Sequence, residues 1–297
     1  MNYTIHQLQV FLKVVEKESV TKASEELYMT QPAVSIQLKN FQDQFDVPLT
    51  EVIGRKLYVT DFGRDIAKIA GNVLQELEEI NYQTLAYQGI MKGKLNISSA
   101  STGKYVIPFF LTGFLEQNTG VDLVLDVTNK SKVIKSLKNN ETDFAFVSVV
   151  PDNLDVEEEI LLENKLYLFG NQNKRDETKP MIYREAGSAT RLAMEQYFST
   201  FQATQRKQME LTSNEAVKQA VIAGLGYSIM PLIGNQNELL NKQIHILKTK
   251  GLPIKTEWRL IWLKNKKLSP VSKAFLEYIK VEKQNILEHN FEWYLRY

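Results

Sequence analysis

Residues 19–39 decide the fold, and their sequence is SVTKASEELYMTQPAVSIQLK. Ser19 and Thr21 are N-cap residue types, and they open a short helix with a single apolar face. Thr30 caps the next helix, whose first turn carries Pro32, where the missing backbone N–H is harmless. The stretch therefore predicts two short helices joined by a tight turn.

The second of these helices has an unusual outward face. Its apolar positions recur at helical spacing and must point inward; they are Val34, Leu38, Phe41 and Phe45. The opposite face then carries Pro32, Ile36 and Lys39. Helix formation does not require an outward isoleucine, but Ile36 would suit a surface that meets thymine methyl groups in a DNA major groove. The alternative is a plain three-helix cluster with one stray exposed isoleucine.

The flanking segments favour a winged helix. Residues 5–17 are predicted to form an amphipathic helix, because their apolar side chains repeat at i, i+3, i+4 and i+7. Val47-Pro48 ends the third helix. Residues 51–60 then carry a Gly54-Arg55-Lys56 turn between short apolar pieces, the pattern of a β-hairpin. Such a basic tip can contact phosphate or the minor groove while the third helix enters the major groove.

A long helix is predicted to follow. Thr60 is an N-cap candidate, and residues 61–88 contain no proline. Their apolar side chains are spaced mostly three and four apart, close to a heptad seam; they are Ile66, Ile69, Val73, Leu77, Ile80, Leu85 and Tyr87. This stripe favours a dimerisation helix, followed by a hinge at Gly89 and Gly93. The alternative is an ordinary helix buried on its own regulatory domain.

Residues 90–297 alternate strand and helix patterns. Predicted strands over residues 94–99, 121–127 and 144–149 alternate with helices over residues 106–117 and 131–139, which implies a parallel βαβαβ sheet. A similar second set is predicted, with strands over residues 166–169, 181–184 and 227–230 and helices over residues 189–201 and 214–223. The chain is then predicted to close with a strand over residues 258–263 and a helix over residues 270–283. Two α/β lobes with a cleft between them follow.

Polar residues stand where such sheets bind ligands, at the carboxyl ends of strands and the N-termini of helices. They are Ser99, Ser101, Thr102, Lys104, Ser148, Arg184, Ser188, Thr190, Arg191, Ser213 and Asn214. Any single one is explained by helix capping. Because four sets converge and three members are basic, we expect them to bind a small effector that is anionic or strongly hydrogen-bonding.

Composition excludes several kinds of chemistry. The chain has 297 residues, no cysteine and only three scattered histidines, so we expect no metal site, no cofactor and no catalytic triad. No signal peptide or membrane span is evident, which predicts a soluble, cytoplasmic protein without membrane contact. Net charge is +1 overall, but residues 1–60 sum to −1 and residues 90–297 to +5. The prediction of DNA binding therefore depends on topology and on a few side chains that face one side of this domain.

The sequence resembles the LysR-type transcriptional regulators. Residues 19–39 look like their helix-turn-helix, residues 47–60 like their wing, and residues 101–105, 184–191 and 213–226 like their effector-binding domain. Within the family, the chain is most similar to the branch that controls Calvin-cycle carbon-fixation genes. The resemblance implies a lobed fold like that of the periplasmic binding proteins, and it adds Asn129 to the effector residues.

The expected architecture is a multidomain α+β protein. It comprises a winged helix-turn-helix domain (1–60), a linker and dimerisation helix (61–89) and an effector-binding domain (90–297). Lobe I of this last domain covers about 90–162 and 266–297, and lobe II about 163–265. The expected DNA-binding residues are Thr21, Lys22, Gln31, Pro32, Ala33, Ser35, Ile36, Gln37, Lys39, Arg55 and Lys56. The tail from Asn285 is expected to extend the last helix and pack on the first lobe.

The expected function is effector-dependent binding of double-stranded promoter DNA by a homodimer or homotetramer. Effector binding would then change DNA bending or the contact with RNA polymerase. One alternative is an enzyme acting on a small anion, for which Glu185 and Lys104 are the candidate acid and base. The other is a pure binding protein, against which the DNA-binding head and the missing signal peptide argue.

Overall fold

The computed structural model describes residues 2–54, 56–201 and 207–297. It divides into two compact units, residues 1–89 and 90–297.

The first unit holds three short helices, a hairpin and one long helix. They are α1 (Ile5–Lys17), α2 (Val20–Glu26), α3 (Gln31–Gln42), β1 (Thr50–Ile53), β2 (Lys56–Val59) and α4 (Asp61–Tyr87). Ser19 caps α2 by accepting from the Lys22 N–H, whereas Thr21 lies inside the helix and does not cap it. Thr60 caps α4 in the same way through the Gly63 N–H. The predicted helix-turn-helix and hairpin are thereby confirmed.

One apolar core holds this unit together. The buried side chains that α3 contributes are Val34, Leu38 and Phe41, and they meet Phe11 of α1. Ile36 on the opposite face is 58% exposed. The inward and outward faces of α3 are therefore as the sequence spacing predicted, but the helix ends at Gln42, so Phe45 lies beyond it and is half-buried.

The second unit contains a seven-stranded sheet. Its first strands are β3 (Lys92–Ala100), β4 (Gly120–Thr128) and β5 (Phe144–Val147), with β3 parallel to both neighbours. The crossover helices are α5 (Ile107–Gln117) and α6 (Lys130–Lys138). This confirms the predicted βαβαβ unit.

Two long strands continue the sheet into a second group of elements. They are β6 (Val156–Gly170) and β11 (Ile254–Leu263), which pair antiparallel along their length. The remaining elements are β7 (Met181–Arg184), α7 (Ala189–Thr200), β8 (Gln208–Leu211), α8 (Asn214–Ile222), β9 (Ser228–Pro231), α9 (Gln236–Leu240), β10 (His245–Ile246) and α10 (Pro270–Phe291). β9 and β10 pair with the end of β6, and β7 pairs parallel with β8. The domain is therefore two-lobed, with β6 and β11 passing from one lobe to the other.

The C-terminal tail extends α10, as predicted, and packs on the first lobe. Phe291 and Tyr294 are buried in the main core, and the Phe291 ring meets Phe109 of α5 at 5.2 Å between centroids. A short 3₁₀ helix, Glu292–Arg296, follows α10. The tail is therefore an integral part of the fold.

Candidate functional site

The outward face of α3 and the hairpin form one candidate site. Eight of the residues expected to contact DNA are exposed: Thr21, Lys22, Gln31, Pro32, Ser35, Ile36, Lys39 and Lys56. Ala33 and Gln37 are partly buried, and Arg55 lies outside the described residues. A helix with such an exposed polar and methyl-bearing face has the shape and chemistry of a major-groove reader.

Charge pairing in this unit leaves its outward lysines available. Lys13 and Lys17 both pair with Glu16 and Glu26, so these four charges neutralise one another. Within the described residues, Lys22 and Lys39 form no ion pair, and Lys56 lies over the Tyr58 ring at 5.1 Å. The net negative balance of the first unit therefore does not prevent phosphate contact.

The second candidate site centres on Arg184 at the carboxyl end of β7. This side chain is 4% exposed and forms a bidentate pair with its neighbour Glu185, at 2.8 and 2.9 Å. It also donates to the Oδ1 of Asn214 at the start of α8 and, at 3.5 Å, to the Oγ of Ser101. Arg184 therefore links the segment after β3 to the start of α8, although both are distant from it in sequence.

A small inner pocket adjoins this arginine. Its polar lining includes Thr102, Arg184, Thr190, Asn214 and Asn235, and its volume is about 20 Å³. That is room for about one water molecule. Two of its buried polar atoms, Nδ2 of Asn214 and Oδ1 of Asn235, have no hydrogen-bond partner among the described residues. Because such groups are costly to leave unpaired, the pocket has unused capacity to bind a polar ligand.

A chain of charges joins the pocket wall to the neighbouring elements. Glu215 of α8 accepts from the Tyr105 hydroxyl, pairs with Lys104 at 3.0 Å and pairs with Lys218 at 3.2 Å. Burial raises the pKa of Glu215, but the hydrogen bonds from Tyr105 and Lys104 and the charge of Lys218 outweigh it and lower the pKa to about 2. Glu215 is therefore ionised at neutral pH and ties the segment after β3 to α8.

Gly234 makes room for this arrangement. It has a positive φ of 82°, and a Cβ atom there would lie 2.3 Å from the Tyr105 ring. A larger residue would therefore displace Tyr105 from Glu215.

A larger cleft lies beside the starts of α6 and α7. It holds about 790 Å³ and is lined by Lys130, Ser188 and Arg191, among others. Arg191 is paired with Glu195 and Glu210. Across this cleft, the Oγ of Ser131 donates to the Gly187 carbonyl at 3.5 Å.

The predicted effector residues are thus only partly brought together. Ser101, Thr102, Arg184, Thr190 and Asn214 surround or contact the inner pocket. Ser188 and Arg191 line the larger cleft. Ser148 lines a different surface pocket, and Lys104 lines an outer pocket beside α5. Asn129 and Ser213 cap α6 and α8, and the Ser99 hydroxyl donates to the Ala100 carbonyl.

Sequence reasoning did not assign Tyr105, Glu215, Lys218 or Asn235 to the effector site, although Tyr105 and Glu215 lie in the motifs that resemble the family's effector-binding domain. Tyr105 and Glu215 directly follow residues that were singled out, and Lys218 lies one helical turn after Glu215. These adjacencies could have identified three of them. Asn235 lies in a loop and carries no comparable signal.

The two candidate enzyme residues do not face one another as an acid and base pair. Glu185 is bonded to Arg184, and Lys104 to Glu215. Among the described residues, no group of three or more His, Cys, Asp or Glu could hold a metal ion. In the same part of the chain, no helix is long and apolar enough to cross a membrane.

Comparison with known proteins identifies the family. The model "Bacterial regulatory helix-turn-helix protein, lysR family" matches residues 5–64, and "LysR substrate binding domain" matches residues 88–283. The chain belongs to the LysR family. This LysR-type transcriptional regulator therefore carries its DNA-binding domain first and its effector-binding domain second, in the order that the sequence predicted.

Its similarity to two curated LysR proteins covers almost the full length. The transcriptional activator CmpR of Synechocystis sp. is 37% identical over 289 residues, which cover 94% of this chain and 95% of CmpR. The RuBisCO operon transcriptional regulator of Allochromatium vinosum is 34% identical, over 95% of this chain and 97% of that protein. Regulators of carbon-fixation genes are therefore among its relatives, as the sequence resemblance indicated.

A solved structure matches the effector-binding domain. The regulatory domain of Synechocystis PCC6803 CcmR, in complex with 2-PG, is 30% identical with a TM-score of 0.61. The match covers 65% of this chain and 99% of that domain. The two-lobed fold of residues 90–297 is thus a LysR effector-domain fold.

Proposed function

We propose that this LysR regulator binds promoter DNA of carbon-fixation genes and that a small phosphorylated anion in the inner pocket modulates this binding. The protein acts as a homodimer or homotetramer and has no catalytic role; Glu185 and Lys104 serve as ion-pair partners. The domain boundaries are 1–60, 61–89 and 90–297, with the lobes divided near residues 162 and 266.

The observation that carries the effector proposal is the chemistry of the inner pocket. It combines the guanidinium of Arg184, the hydroxyls of Thr102 and Thr190, and the buried Nδ2 donor of Asn214, which has no hydrogen-bond partner among the described residues. Guanidinium groups and hydroxyls are common donors to phosphate and carboxylate oxygens. The complex of CcmR with 2-PG, which is 2-phosphoglycolate, supports the same ligand class.

Ligand entry requires the pocket to open, since its present volume of about 20 Å³ holds only a water molecule. Glu185 already occupies the fork of Arg184. An incoming phosphate would compete with this carboxylate for the guanidinium and release Glu185. Effector binding is thereby coupled to a rearrangement of the turn between β7 and α7, which is the element that an effector signal can use.

Isothermal titration calorimetry with 2-phosphoglycolate tests the pocket. We expect binding to the full chain that glycolate does not reproduce, because it lacks the phosphate. Thr102→Ala should weaken binding about tenfold, the effect of losing one charge-assisted hydrogen bond. Thr112→Ala is the matched control, since Thr112 is exposed on α5 outside the pocket.

The proposal fails on either of two results. Equal binding of glycolate would show that the phosphate is not recognised. Equal weakening by Thr102→Ala and Thr112→Ala would show that the ligand lies outside the inner pocket.

A further inference from the structure

A separate outer pocket lies between α5, α9 and the C-terminal tail. It holds about 440 Å³, within the usual range for small-molecule sites. Its aromatic wall is formed by Phe109, Phe291 and Trp293, and its polar rim includes Asn237, Asn290 and Lys104. Neither the predicted effector pocket nor the DNA-binding surface uses these aromatic residues.

The tail that builds one wall is firmly held. Tyr294 is 1% exposed, and its hydroxyl accepts from the backbone N–H of Lys165 at 2.7 Å. The Nζ of Lys165 in turn donates to the Tyr297 carbonyl oxygen at 2.7 Å. The LysR substrate-binding match ends at residue 283, so the tail wall lies beyond it, whereas α5 and α9 lie within it. A fixed tail therefore closes one side of the pocket.

Phe109 supplies an open aromatic surface. It is 45% exposed, although the other phenylalanines of α5 are buried. It meets Phe291 edge to face, with an interplanar angle of 77°. Aromatic rings favour stacked or edge contacts with another planar ring. A flat ligand would therefore bury the solvent-exposed part of the Phe109 ring.

Lys104 supplies a charge at the rim. Its Nζ donates to Glu215 at 3.0 Å, and the side chain keeps 37% exposure. An ammonium group has three donors, so further ones remain for a ligand. The charges of Lys104, Lys218, Glu215 and Glu238 in this network sum to zero. Because the network is neutral as a whole, the pocket offers an anion only the free donors of the single Lys104 ammonium group, which suits one carboxylate better than a polyanion.

We propose that the outer pocket is a second ligand site, which takes a planar aromatic carboxylate. The ring system stacks on Phe109 beside Trp293, and the carboxylate accepts from Lys104 and the neighbouring amides. The outer pocket shares Tyr105 with the inner pocket, but the proposal does not rest on the function proposed above. A two-ring acid is small enough to fit within the pocket.

The probe is 2-naphthoate, titrated calorimetrically into the full chain. Decahydro-2-naphthoate has the same charge but is not planar, and 2-naphthamide is planar but uncharged. We expect both analogues to bind at least tenfold more weakly than 2-naphthoate. Phe109→Ala should weaken 2-naphthoate binding at least tenfold, whereas the matched control Val281→Ala, at a 74% exposed site on α10, should leave it unchanged.

Several results would overturn the proposal. No binding of 2-naphthoate at millimolar concentration would exclude the site, and equal binding of either analogue would exclude the ligand class. Loss of binding in Thr102→Ala but not in Phe109→Ala would place the ligand in the inner pocket. A changed oligomeric state of Phe109→Ala, with ligand binding intact, would identify the pocket as a contact between copies. The melting temperature of each variant should first show that it is folded at the temperature of the titration.

Discussion

Ile36 carries the most specific prediction at the scale of single residues. It is exposed on α3 between polar neighbours, where an aliphatic side chain gains nothing within the fold. Contact with a thymine methyl group would explain the exposed Ile36 side chain. Burying one methyl group would stabilise the complex by about 0.8 kcal/mol. Replacing one contacted thymine by deoxyuridine should therefore weaken DNA binding about fourfold.

The matched variant makes this measurement decisive. Ile36→Ser should lose the sensitivity to deoxyuridine, because the apolar partner of the methyl is gone, while retaining phosphate contacts. The assay is fluorescence anisotropy on promoter duplexes substituted one thymine at a time. A wild-type protein that is indifferent to deoxyuridine at every position would refute the role of Ile36.

Glu215 carries a pH-dependent prediction. Its pKa is about 2 in the folded protein and ordinarily 4.5. Its ion pairs therefore stabilise the fold above pH 4.5, and this stabilisation is lost as the pH falls toward 2. Glu215→Gln should lower the melting temperature at pH 7, and the difference from wild type should shrink by pH 3.5.

Glu292→Gln serves as the control for this series. The Glu292 side chain is 76% exposed, and its ion pair with Arg296 is long, at 4.0 Å. It should change the melting temperature little at either pH. A deficit of Glu215→Gln that stayed constant from pH 7 to 3.5 would contradict the electrostatic explanation.

Individual site residues were predictable only in part. Arg184 and Asn214 stand out in the sequence because each lies next to a strand end or helix start, where ligand sites concentrate. Lys104 occupies an equally suitable position, yet its charge is directed to Glu215, more than a hundred residues away in the chain. Such pairing depends on packing between distant segments, which local sequence patterns do not specify.

The long helix α4 carries the prediction at the scale of elements. Ile69, Val73 and Ile80 are 58%, 42% and 62% exposed, and their spacing places them within about 40° of one another on the helix. An aligned apolar stripe on one face favours a partner helix. Ile80→Asp should therefore shift the protein toward monomer in sedimentation velocity.

Gln75→Asp is the control for α4, since it adds the same charge on a different exposed face. It should leave the sedimentation coefficient unchanged. If Ile80→Asp also left it unchanged, the stripe would not be the dimer contact.

Elements with clear periodicity were predicted well, and those without it were not. The α3 helix and the strands β3, β4 and β5 show regular apolar spacing, and all were found. The first half of β6 contains Glu157, Glu158 and Glu159 in a row, which hides any strand alternation. It is a strand because β11 pairs with it, including the contact of Arg259 with Glu158. Tertiary pairing of this kind overrides local propensity.

At the scale of the whole molecule, charge explains how a nearly neutral protein can bind DNA. The surplus of positive charge lies in residues 90–297, and residues 1–89 sum to −4. Pairing within the first unit neutralises Lys13 and Lys17, while the outward Lys22 and Lys39 form no ion pair within the described ranges. Affinity for DNA should therefore come from a few specifically positioned contacts, helped by oligomerisation. The binding constant should then depend only modestly on salt concentration.

The most direct test of the central claim joins both units in one measurement. Fluorescence anisotropy would follow binding of the full chain to DNA from a carbon-fixation promoter, with and without 2-phosphoglycolate. We predict specific binding whose affinity changes severalfold with 2-phosphoglycolate in wild type and Thr112→Ala but not in Thr102→Ala. Specific DNA binding that 2-phosphoglycolate leaves unchanged in wild type, or changes equally in Thr102→Ala, would contradict the account.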